Sequence, residues 1–384
     1  MDDLDVMQYS KMKRLNYIDS IRGIAILMVI LVHVAHTVSK FSELSPTIWL
    51  LTEYGIMGVQ LFFVVSAFTL CLSYERRINE DKRNLKFFIR RYFRIAPAYY
   101  LIGILVYFLI SYLLPEFSVT SSDSYTLNSV LSNVFLIHGF VLDPSNNLVP
   151  GGWSIGTEMA FYAIFPLLFF LSKRALNLNL SFLLKSFFIV IIGINIVTFV
   201  INLLIREKLE RWGLSGFVYF NLYNQIPVFL VGICYYFLER KNYLEFDKKV
   251  DLVGFLGFTS LSLIIWKIGL VYEVLGYLIS IIPFVTALSF IFLINLFRKV
   301  NKLNHTFLKR IGSISYSMYL IHFLFARSLS MFILSKVDCT NYENATLVLL
   351  FILTVILTYL MALISEKLIE KPFIKLGKKL VKKV

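Results

Sequence analysis

Residues 19–37 of the sequence, D-S-I-R-G-I-A-I-L-M-V-I-L-V-H-V-A-H-T, form an apolar stretch long enough to enter a lipid bilayer as a helix. Arg22 stands near its beginning, and His33 follows eleven positions later. At about 1.5 Å of rise per residue, that separation is ~16 Å, about half of a ~30 Å hydrocarbon core. An ionisable side chain at that depth costs free energy, so the pattern predicts a functional site at His33. The alternative is a histidine whose hydrogen bonds are satisfied by a neighbouring helix.

The composition of the whole chain is that of a membrane protein. Of its 384 residues, 58% are hydrophobic and 16% are charged, and the mean hydropathy is +0.74. A soluble domain contains about 45–50% apolar and about 25% charged residues. The apolar residues fall in blocks of about 18–25, as transmembrane helices require, and the sequence lacks the short alternating segments of a barrel. We therefore predict an all-α, polytopic membrane helical bundle that forms a single domain over residues 1–384.

Hydropathy predicts about ten transmembrane helices in this chain. Their ranges are 20–38, 54–73, 95–114, 153–172, 186–205, 218–238, 251–266, 273–297, 313–334 and 345–365. The stretch 128–142 is apolar but short, and residues 115–150 contain neither Lys nor Arg. We predict that this stretch does not cross the membrane, and that residues 115–152 form an external loop containing an interfacial helix.

The distribution of basic residues predicts the orientation. If 128–142 does not cross, one side of the membrane carries 31 of the 38 Lys and Arg residues and the other side six, with Arg327 inside a span. If it crosses, the split becomes 17 against 20. The positive-inside rule favours the first arrangement, which makes both termini cytoplasmic. Asp2, Asp3 and Asp5 do not fit the basic start of a signal peptide, so we expect the first span to be retained.

Charge and cysteine content argue against several classes of partner. The formal net charge of +14 comes from residues in loops between spans, so it indicates topology and not binding to nucleic acid. The basic amphipathic tail, residues 366–384, is predicted to lie on the cytoplasmic leaflet, where lysines interact with anionic lipid. Cys71, Cys234 and Cys339 form no C-x-x-C pair, so neither a disulfide framework nor a metal site is predicted.

Two histidines of the first span are the first candidates for chemistry. His33 and His36 are three residues apart and therefore share one helix face, with His36 nearer the predicted outer end. A neutral imidazole accepts a proton from a hydroxyl or attacks an activated acyl group itself. His36 is an alternative base and a candidate acceptor ligand. Arg22, at the cytoplasmic edge, is explained equally well as a topological anchor.

A second group consists of arginines in K-F-F-I-R-R-Y-F-R-I-A-P-A-Y-Y, residues 86–100. Arg90 and Arg94 are four residues apart on a predicted helix, and Arg91 flanks them. Guanidinium groups present forked donors that match phosphate oxygens, so this group is predicted to bind phosphates at the membrane surface. The alternative is an ordinary belt of positive charge that fixes topology.

A third candidate is Glu158, in G-G-W-S-I-G-T-E-M-A-F-Y-A-I-F-P at residues 151–166. An unpaired carboxylate inside a span is costly, so we expect it to be protonated, paired or facing a polar cavity. A histidine of the first span is one partner that a helical bundle allows. Trp153, five residues earlier, is otherwise explained as an interfacial anchor.

The ninth predicted span carries two further ionisable residues within I-S-Y-S-M-Y-L-I-H-F-L-F-A-R, residues 314–327. His322 lies near mid-membrane and has either a catalytic role or a structural hydrogen bond. Arg327 lies nearer the predicted outer face, where it either meets an acidic or sugar-bearing acceptor or extends to the interface.

Five sequence motifs together resemble the membrane-bound acyltransferase 3 family, the bacterial envelope O-acyltransferases. They are Y-I-D-S-I-R-G-I-A (17–25), G-V-Q-L-F-F-V-V-S-A-F (58–68), F-F-I-R-R-Y-F-R-I-A-P-A-Y (87–99), W-S-I-G-T-E-M-A-F-Y (153–162) and I-G-S-I-S-Y-S-M-Y-L-I-H-F (311–323). The resemblance implies a multi-pass protein of the bacterial inner membrane. It implies transfer of an acyl group, usually acetyl, from cytoplasmic acyl-CoA to a hydroxyl of an envelope glycan such as O-antigen, capsule or exopolysaccharide.

Combining the resemblance with the residues gives a set of roles without a metal. We expect His33 and Glu158 to be catalytic, with His33 as general base or transient acyl carrier. Acetyl-CoA is the expected acyl donor, held by Arg22, Arg90, Arg91 and Arg94. The candidates for acceptor binding or for support of the site are His36, Trp153, Ser154, Tyr316, His322 and Arg327.

Some positions depart from the family pattern, and two other functions stay open. Gln60 stands where an acidic residue is common, Ala67 where a glycine is common, and Met159 where a second glutamate often follows the first. Some members carry an additional soluble hydrolase-like domain, so we expect this chain to finish the transfer itself or with a separate partner. The alternatives are a transporter or flippase for a lipid-linked sugar, with His33 and Glu158 as a proton relay, and an acyltransferase for a small molecule.

Overall fold

The computed structural model describes residues 15–113, 126–140, 148–204, 222–271, 280–337 and 342–384. Every regular element within these ranges is helical, which confirms the predicted all-α class. The helices are α1 Asn16–Val38, α2 Pro46–Glu53, α3 Gly58–Glu75, α4 Arg83–Ala98, α5 Tyr107–Leu113, α6 Leu127–Val134, α7 Gly152–Leu178, α8 Leu180–Leu204, α9 Leu222–Arg240, α10 Lys248–Val271, α11 Ile282–Lys299, α12 Thr306–Ser313, α13 Ser315–Phe323, α14 Ser330–Leu334, α15 Glu343–Ser365 and α16 Lys371–Lys383. Wider π-helical turns at Tyr99–Val106, Leu324–Leu329 and Glu366–Glu370 join three pairs of these helices end to end.

Nine helices within the described ranges are long and apolar enough to cross a membrane. They are Asn16–Val38, Pro46–Glu75, Arg83–Leu113, Gly152–Leu178, Leu180–Val200, Lys248–Ile268, Ile282–Lys299, Ser315–Leu334 and Glu343–Lys383. The polytopic helical architecture is therefore confirmed, and the chain is a multi-pass membrane protein.

The remaining predicted span, 218–238, corresponds to α9, a helix of 19 residues. Polar residues near both of its ends, Asn224 and Gln225 at one and Glu239 at the other, make it less apolar than the nine. The start of this predicted span lies outside the described residues, as does the N-terminal segment 1–14, and the cytoplasmic position of both termini stays a prediction.

The short apolar stretch 128–142 overlaps α6, which has eight residues. Eight residues of helix extend ~12 Å, too little to cross a ~30 Å hydrocarbon core. Residues 114–125 and 141–147 of the predicted external loop lie outside the described residues.

Two compact units are defined by the contacts within the chain. The first unit comprises Met1–Arg22, Gln60–Phe88 and Phe161–Gly312, and the second comprises Gly23–Val59, Ile89–Ala160 and Ser313–Val384.

The first unit is held by aromatic stacking and by buried polar pairs. The rings of Phe161 and Phe229 stack with centroids 3.9 Å apart. The Gln60 amide donates to Gln225 Oε1 at 3.0 Å, and both side chains are fully buried. An amide pair satisfies buried polar groups without burying a charge, which explains physically why glutamine is stable at position 60.

The second unit is built on close backbone contact between α1 and the turn that follows α2. A Cβ atom added at Gly55 would lie 2.4 Å from the Met28 carbonyl oxygen, and one added at Gly58 would lie 2.5 Å from that of Ala25. On another side of α1, the Thr37 hydroxyl donates to the Ala326 carbonyl at 2.8 Å. These contacts fix α1 between the end of α2 and the π-helical turn after α13.

The basic tail continues the last predicted span as a helix and packs within the second unit. Glu370 accepts a hydrogen bond from the Ser317 hydroxyl, and Ser317 and Ser365 share a second one at 2.8 Å. A Cβ atom at Gly377 would lie 2.6 Å from the Phe93 Cβ, so the tail lies directly against α4. The predicted position of the tail on a lipid leaflet stays a prediction.

Candidate active site

His33 lies at the centre of a group of histidines in the second unit. Its ring centroid is 6.0 Å from that of His36, one turn later on α1, and 5.3 Å from that of His322 on α13. Phe323 covers the ring at 4.2 Å, and the positive charge of Arg327 acts on His33 from the π-helical turn. The structure therefore brings together four of the predicted residues from two distant parts of the chain.

His322 is fully buried, and one of its ring nitrogens has a fixed role. Its Nδ1 lies 2.6 Å from the Tyr319 carbonyl oxygen. Because a carbonyl only accepts hydrogen bonds, Nδ1 carries the hydrogen and Nε2 of the neutral ring carries the lone pair. Nε2 is buried without a hydrogen-bond partner among the described residues. An unsatisfied buried acceptor costs about 1–3 kcal/mol, so this nitrogen is suited to accept a proton from a neighbouring group.

His36 has a carboxylate partner that the sequence analysis did not identify. Its Nε2 lies 2.6 Å from Glu53 Oε2, at the end of α2, and the indole of Trp49 covers its ring with centroids 5.5 Å apart. A signal for this pair was present in the sequence. Consecutive spans run in opposite directions, so Glu53, just before the second predicted span, falls at the same membrane depth as His36.

Glu158 lies on α7, close to Tyr319 of α13. The Tyr319 hydroxyl is 2.7 Å from Ser154 Oγ and donates to the Gly151 carbonyl at 3.0 Å, and the charge of Glu158 acts on it. The ring contacts of His33 within the described part of the chain are to His36, His322 and Phe323. Glu53 is a carboxylate that pairs with a first-span histidine, and the charge of Glu158 acts on Tyr319, which the sequence analysis also missed.

The buried side chain of His138 fixes the start of α7, where Trp153 and Ser154 lie. His138 Nε2 donates to the Gly152 carbonyl at 3.0 Å, and the ring of Tyr99 stacks on His138 with centroids 5.6 Å apart. Burial lowers the pKa of His138 below its usual value, so its neutral form is favoured in the fold. Trp153 itself is half-buried on the first turn of α7.

The predicted donor-binding arginines occupy two different units. In the first unit, Arg22 lies 3.3 Å from the Thr69 hydroxyl and 3.8 Å from Asp19. In the second unit, Arg90, Arg91 and Arg94 lie on α4. Arg94 is exposed, and Arg90 and Arg91 are half-buried.

One residue of the tail and one of α13 interact with the part of α4 that carries the arginines. The charge of Arg94 acts on Glu370 of the tail. Tyr316 donates to the carbonyl of Ile95, one residue after Arg94, at 2.7 Å, so it supports α4. Across the described ranges, His, Cys, Asp and Glu side chains form no group of three placed to hold a metal ion.

Comparison with known proteins adds an independent result. The sequence pattern of the acyltransferase domain matches residues 15–365. The O-acetyltransferase OatA of Staphylococcus aureus strain NCTC 8325 / PS 47 is 27% identical over 400 residues, which cover 98% of this chain and 60% of that protein. A putative O-acetyltransferase of strain COL is 26% identical over 397 residues, covering 96% of this chain and 59% of that protein. This chain thus spans about 60% of the length of these relatives. No solved structure matches it significantly.

Proposed function

The chain belongs to the acyltransferase 3 family, and on that premise we propose that it is a membrane O-acyltransferase. It transfers an acetyl group from acetyl-CoA to a hydroxyl of an envelope glycan, in the inner membrane of a bacterium. The observation that carries the proposal is the position of the half-buried His33 ring between His322 and His36. The names of the relatives support acetyl as the acyl group and oxygen as the accepting atom.

The first step uses His33 and His322. One ring nitrogen of His33 attacks the carbonyl carbon of the thioester, the carbon–sulfur bond breaks, and the electron pair leaves with sulfur as the CoA thiolate. The hydrogen on the other ring nitrogen of His33 passes to Nε2 of His322, whose lone pair has no other hydrogen-bond partner among the described residues. The product is a neutral acyl-imidazole, which a hydroxyl oxygen attacks readily.

The donor is held by the arginines of α4 in this proposal. Guanidinium groups bind phosphate oxygens with two parallel hydrogen bonds, and the CoA nucleotide carries several phosphates. Arg94 is exposed, and its charge acts on one carboxylate, that of Glu370. Phosphate oxygens can therefore reach this guanidinium from the solvent side. Arg22 is assigned to the same function from its motif.

The proposal is tested with purified protein and acetyl-CoA labelled in the acetyl group. We expect release of CoA, a labelled histidine at position 33, and alkali-labile label in added envelope glycan. The rate of acetyl transfer should fall at least 10²-fold in His33→Ala, as expected when a positioned base or nucleophile is removed. His305→Ala is the matched control because His305 is an exposed loop histidine.

Two outcomes would contradict the proposal. The first is wild-type activity in His33→Ala at equal expression. The second is movement of a lipid-linked sugar across vesicles by a wild-type protein that never consumes acetyl-CoA, which would identify a transporter.

A further inference from the structure

His36 and Glu53 form a pair whose geometry is that of a general base with its supporting carboxylate. The Nε2–Oε2 distance of 2.6 Å is that of a charge-assisted hydrogen bond. Both groups are partly accessible, with 38% of the His36 side chain and 18% of the Glu53 side chain exposed. A base that serves an incoming substrate needs such access, because the substrate hydroxyl must come within hydrogen-bond distance of it.

The backbone holds this pair in place. Glu53 is the last residue of α2, and the turn after it lies against α1 through the close contacts of Gly55 and Gly58. Trp49, one turn before Glu53, covers one face of the His36 ring. The carboxylate and the imidazole therefore meet because two neighbouring helices are packed backbone to backbone, and not through a chance encounter of flexible side chains.

The protonation pattern leaves one nitrogen of His36 available. A carboxylate only accepts, so Nε2 of His36 donates to Glu53 and the lone pair of the neutral ring is on Nδ1. When Nδ1 takes up a proton, the carboxylate stabilises the resulting imidazolium, as in a Ser-His-Asp triad. Within the described ranges, the rings in contact with His33 belong to His36, His322 and Phe323, none of which stabilises a positive charge in this way.

We infer that the His36–Glu53 pair deprotonates the acceptor hydroxyl, while His33 carries the acyl group; this inference rests on the proposed function. The hydroxyl proton passes to Nδ1 of His36, the hydroxyl oxygen bonds to the acyl carbon, and the bond from that carbon to the His33 nitrogen breaks. The electron pair of that bond returns to His33, which is reprotonated by His322. The ring centroids of His33 and His36 are 6.0 Å apart on one helix face, so a hydroxyl that attacks an acyl group on His33 lies close to the His36 ring. His36 is thus a catalytic residue and Glu53 a positioning residue.

The test compares Glu53→Gln, Glu53→Asp, His36→Ala and the double variant Glu53→Gln/His36→Ala. Each is measured in membranes by the transfer of labelled acetate from acetyl-CoA to alkali-labile envelope glycan. Glu43→Gln is the matched control, because it removes an exposed carboxylate ten residues earlier in the same connection. The isosteric Gln change and a thermal unfolding measurement separate loss of chemistry from loss of fold.

We expect kcat to fall about 10²-fold or more in both Glu53→Gln and His36→Ala, with the KM for acetyl-CoA unchanged. The kcat of the double variant should be no lower than that of the less active single variant, since the two residues act as a unit. Glu53→Asp should recover part of the rate. Wild-type activity in Glu53→Gln, multiplied losses in the double variant, or a rise in KM alone would each overturn the inference. A wild-type protein that transfers no label would instead refute the proposed function itself.

Discussion

Replacing His322 by leucine separates a catalytic histidine from a structural one. The ring is fully buried, its Nδ1–H group donates to the Tyr319 carbonyl at 2.6 Å, and its Nε2 atom has no hydrogen-bond partner among the described residues. If the residue served only the fold, activity would change no more than stability does. If it serves proton transfer, activity should fall while stability is kept.

The two stability effects of His322→Leu nearly cancel. Loss of the hydrogen bond to Tyr319 costs about 0.5–1.5 kcal/mol, and removal of the unsatisfied Nε2 atom returns about 1–3 kcal/mol. Leucine is apolar and of similar size, and its neighbours include Phe323 and Tyr319, so packing is largely preserved. We expect the free energy of unfolding to stay within about 1–2 kcal/mol of the wild type, and these magnitudes favour a small gain in stability over a loss.

Activity should respond differently, because a missing proton acceptor typically costs about 10²–10⁴-fold in rate. The assay is release of CoA from acetyl-CoA, run beside thermal unfolding of the same detergent-solubilised sample. His305→Leu, at an exposed loop position, is the control for the substitution itself. A variant that unfolds more easily by several kcal/mol, or one that turns over at the wild-type rate, would show that His322 is structural.

Three further changes test other parts of the argument. Arg94→Gln should raise the KM for acetyl-CoA about 10-fold or more at constant kcat, because a hydrogen bond to a charged group contributes about 1.5–3 kcal/mol. The control Arg310→Gln on α12 should leave the KM unchanged. Equal KM values for the two variants would show that Arg94 does not bind the donor. Gly156→Ala should lower the free energy of unfolding by about 1–3 kcal/mol, since its Cβ would lie 2.4 Å from His138 Cδ2. The control Gly193→Ala, with open space around its Cβ, should not lower it. Equal melting temperatures for the two variants would refute the close packing at Gly156. Burial lowers the pKa of His138, so its neutral form stabilises the fold above about pH 6.5, and that contribution is lost as the pH falls below 6.5. His138→Gln should therefore flatten the dependence of melting temperature on pH between about 7 and 5. An unchanged slope would contradict this sign.

The helices were predictable because hydropathy and length act locally, while the contacts between them were not. The one-turn spacing of His33 and His36 follows from helix geometry, and the structure shows both rings together. The approach of His322 to His33 depends on the packing of two helices that lie nearly three hundred residues apart in the chain. No local pattern reports such a contact, just as none reports the hydrogen bond of Thr37 to the Ala326 carbonyl.

The same distinction explains the missed residues. Glu53 lies at the boundary of a predicted span, where a carboxylate costs little free energy, so the signal that points to it is its shared membrane depth with His36. The tail was assigned to a lipid surface from its amphipathic pattern, and that pattern cannot tell a lipid partner from a protein one. Gly377 and Glu370 now show that part of the tail contacts α4 and α13. The contact of Gln225 in α9 with Gln60 of α3 likewise joins helices that are far apart in the chain, so no local pattern predicts it.

The three histidines differ in what their second nitrogen touches, and this difference gives them distinct chemistry. His322 donates a hydrogen bond to a carbonyl, so its ring is held in one tautomer and the lone pair of its other nitrogen is available to accept a proton. His36 is tied to a carboxylate, so a positive charge on its ring is stabilised. His33 has neither kind of partner, and its imidazole makes no hydrogen bond within the described residues.

An acyl carrier must lose its own N–H proton and accept a substituent on the other nitrogen, which a ring fixed by a carbonyl or carboxylate cannot do without breaking that bond. On this ground the position of His33 favours an acyl-histidine over a mere base, and trapping labelled acetate on residue 33 by rapid acid quench would demonstrate it; label on His36 instead would reverse the two roles.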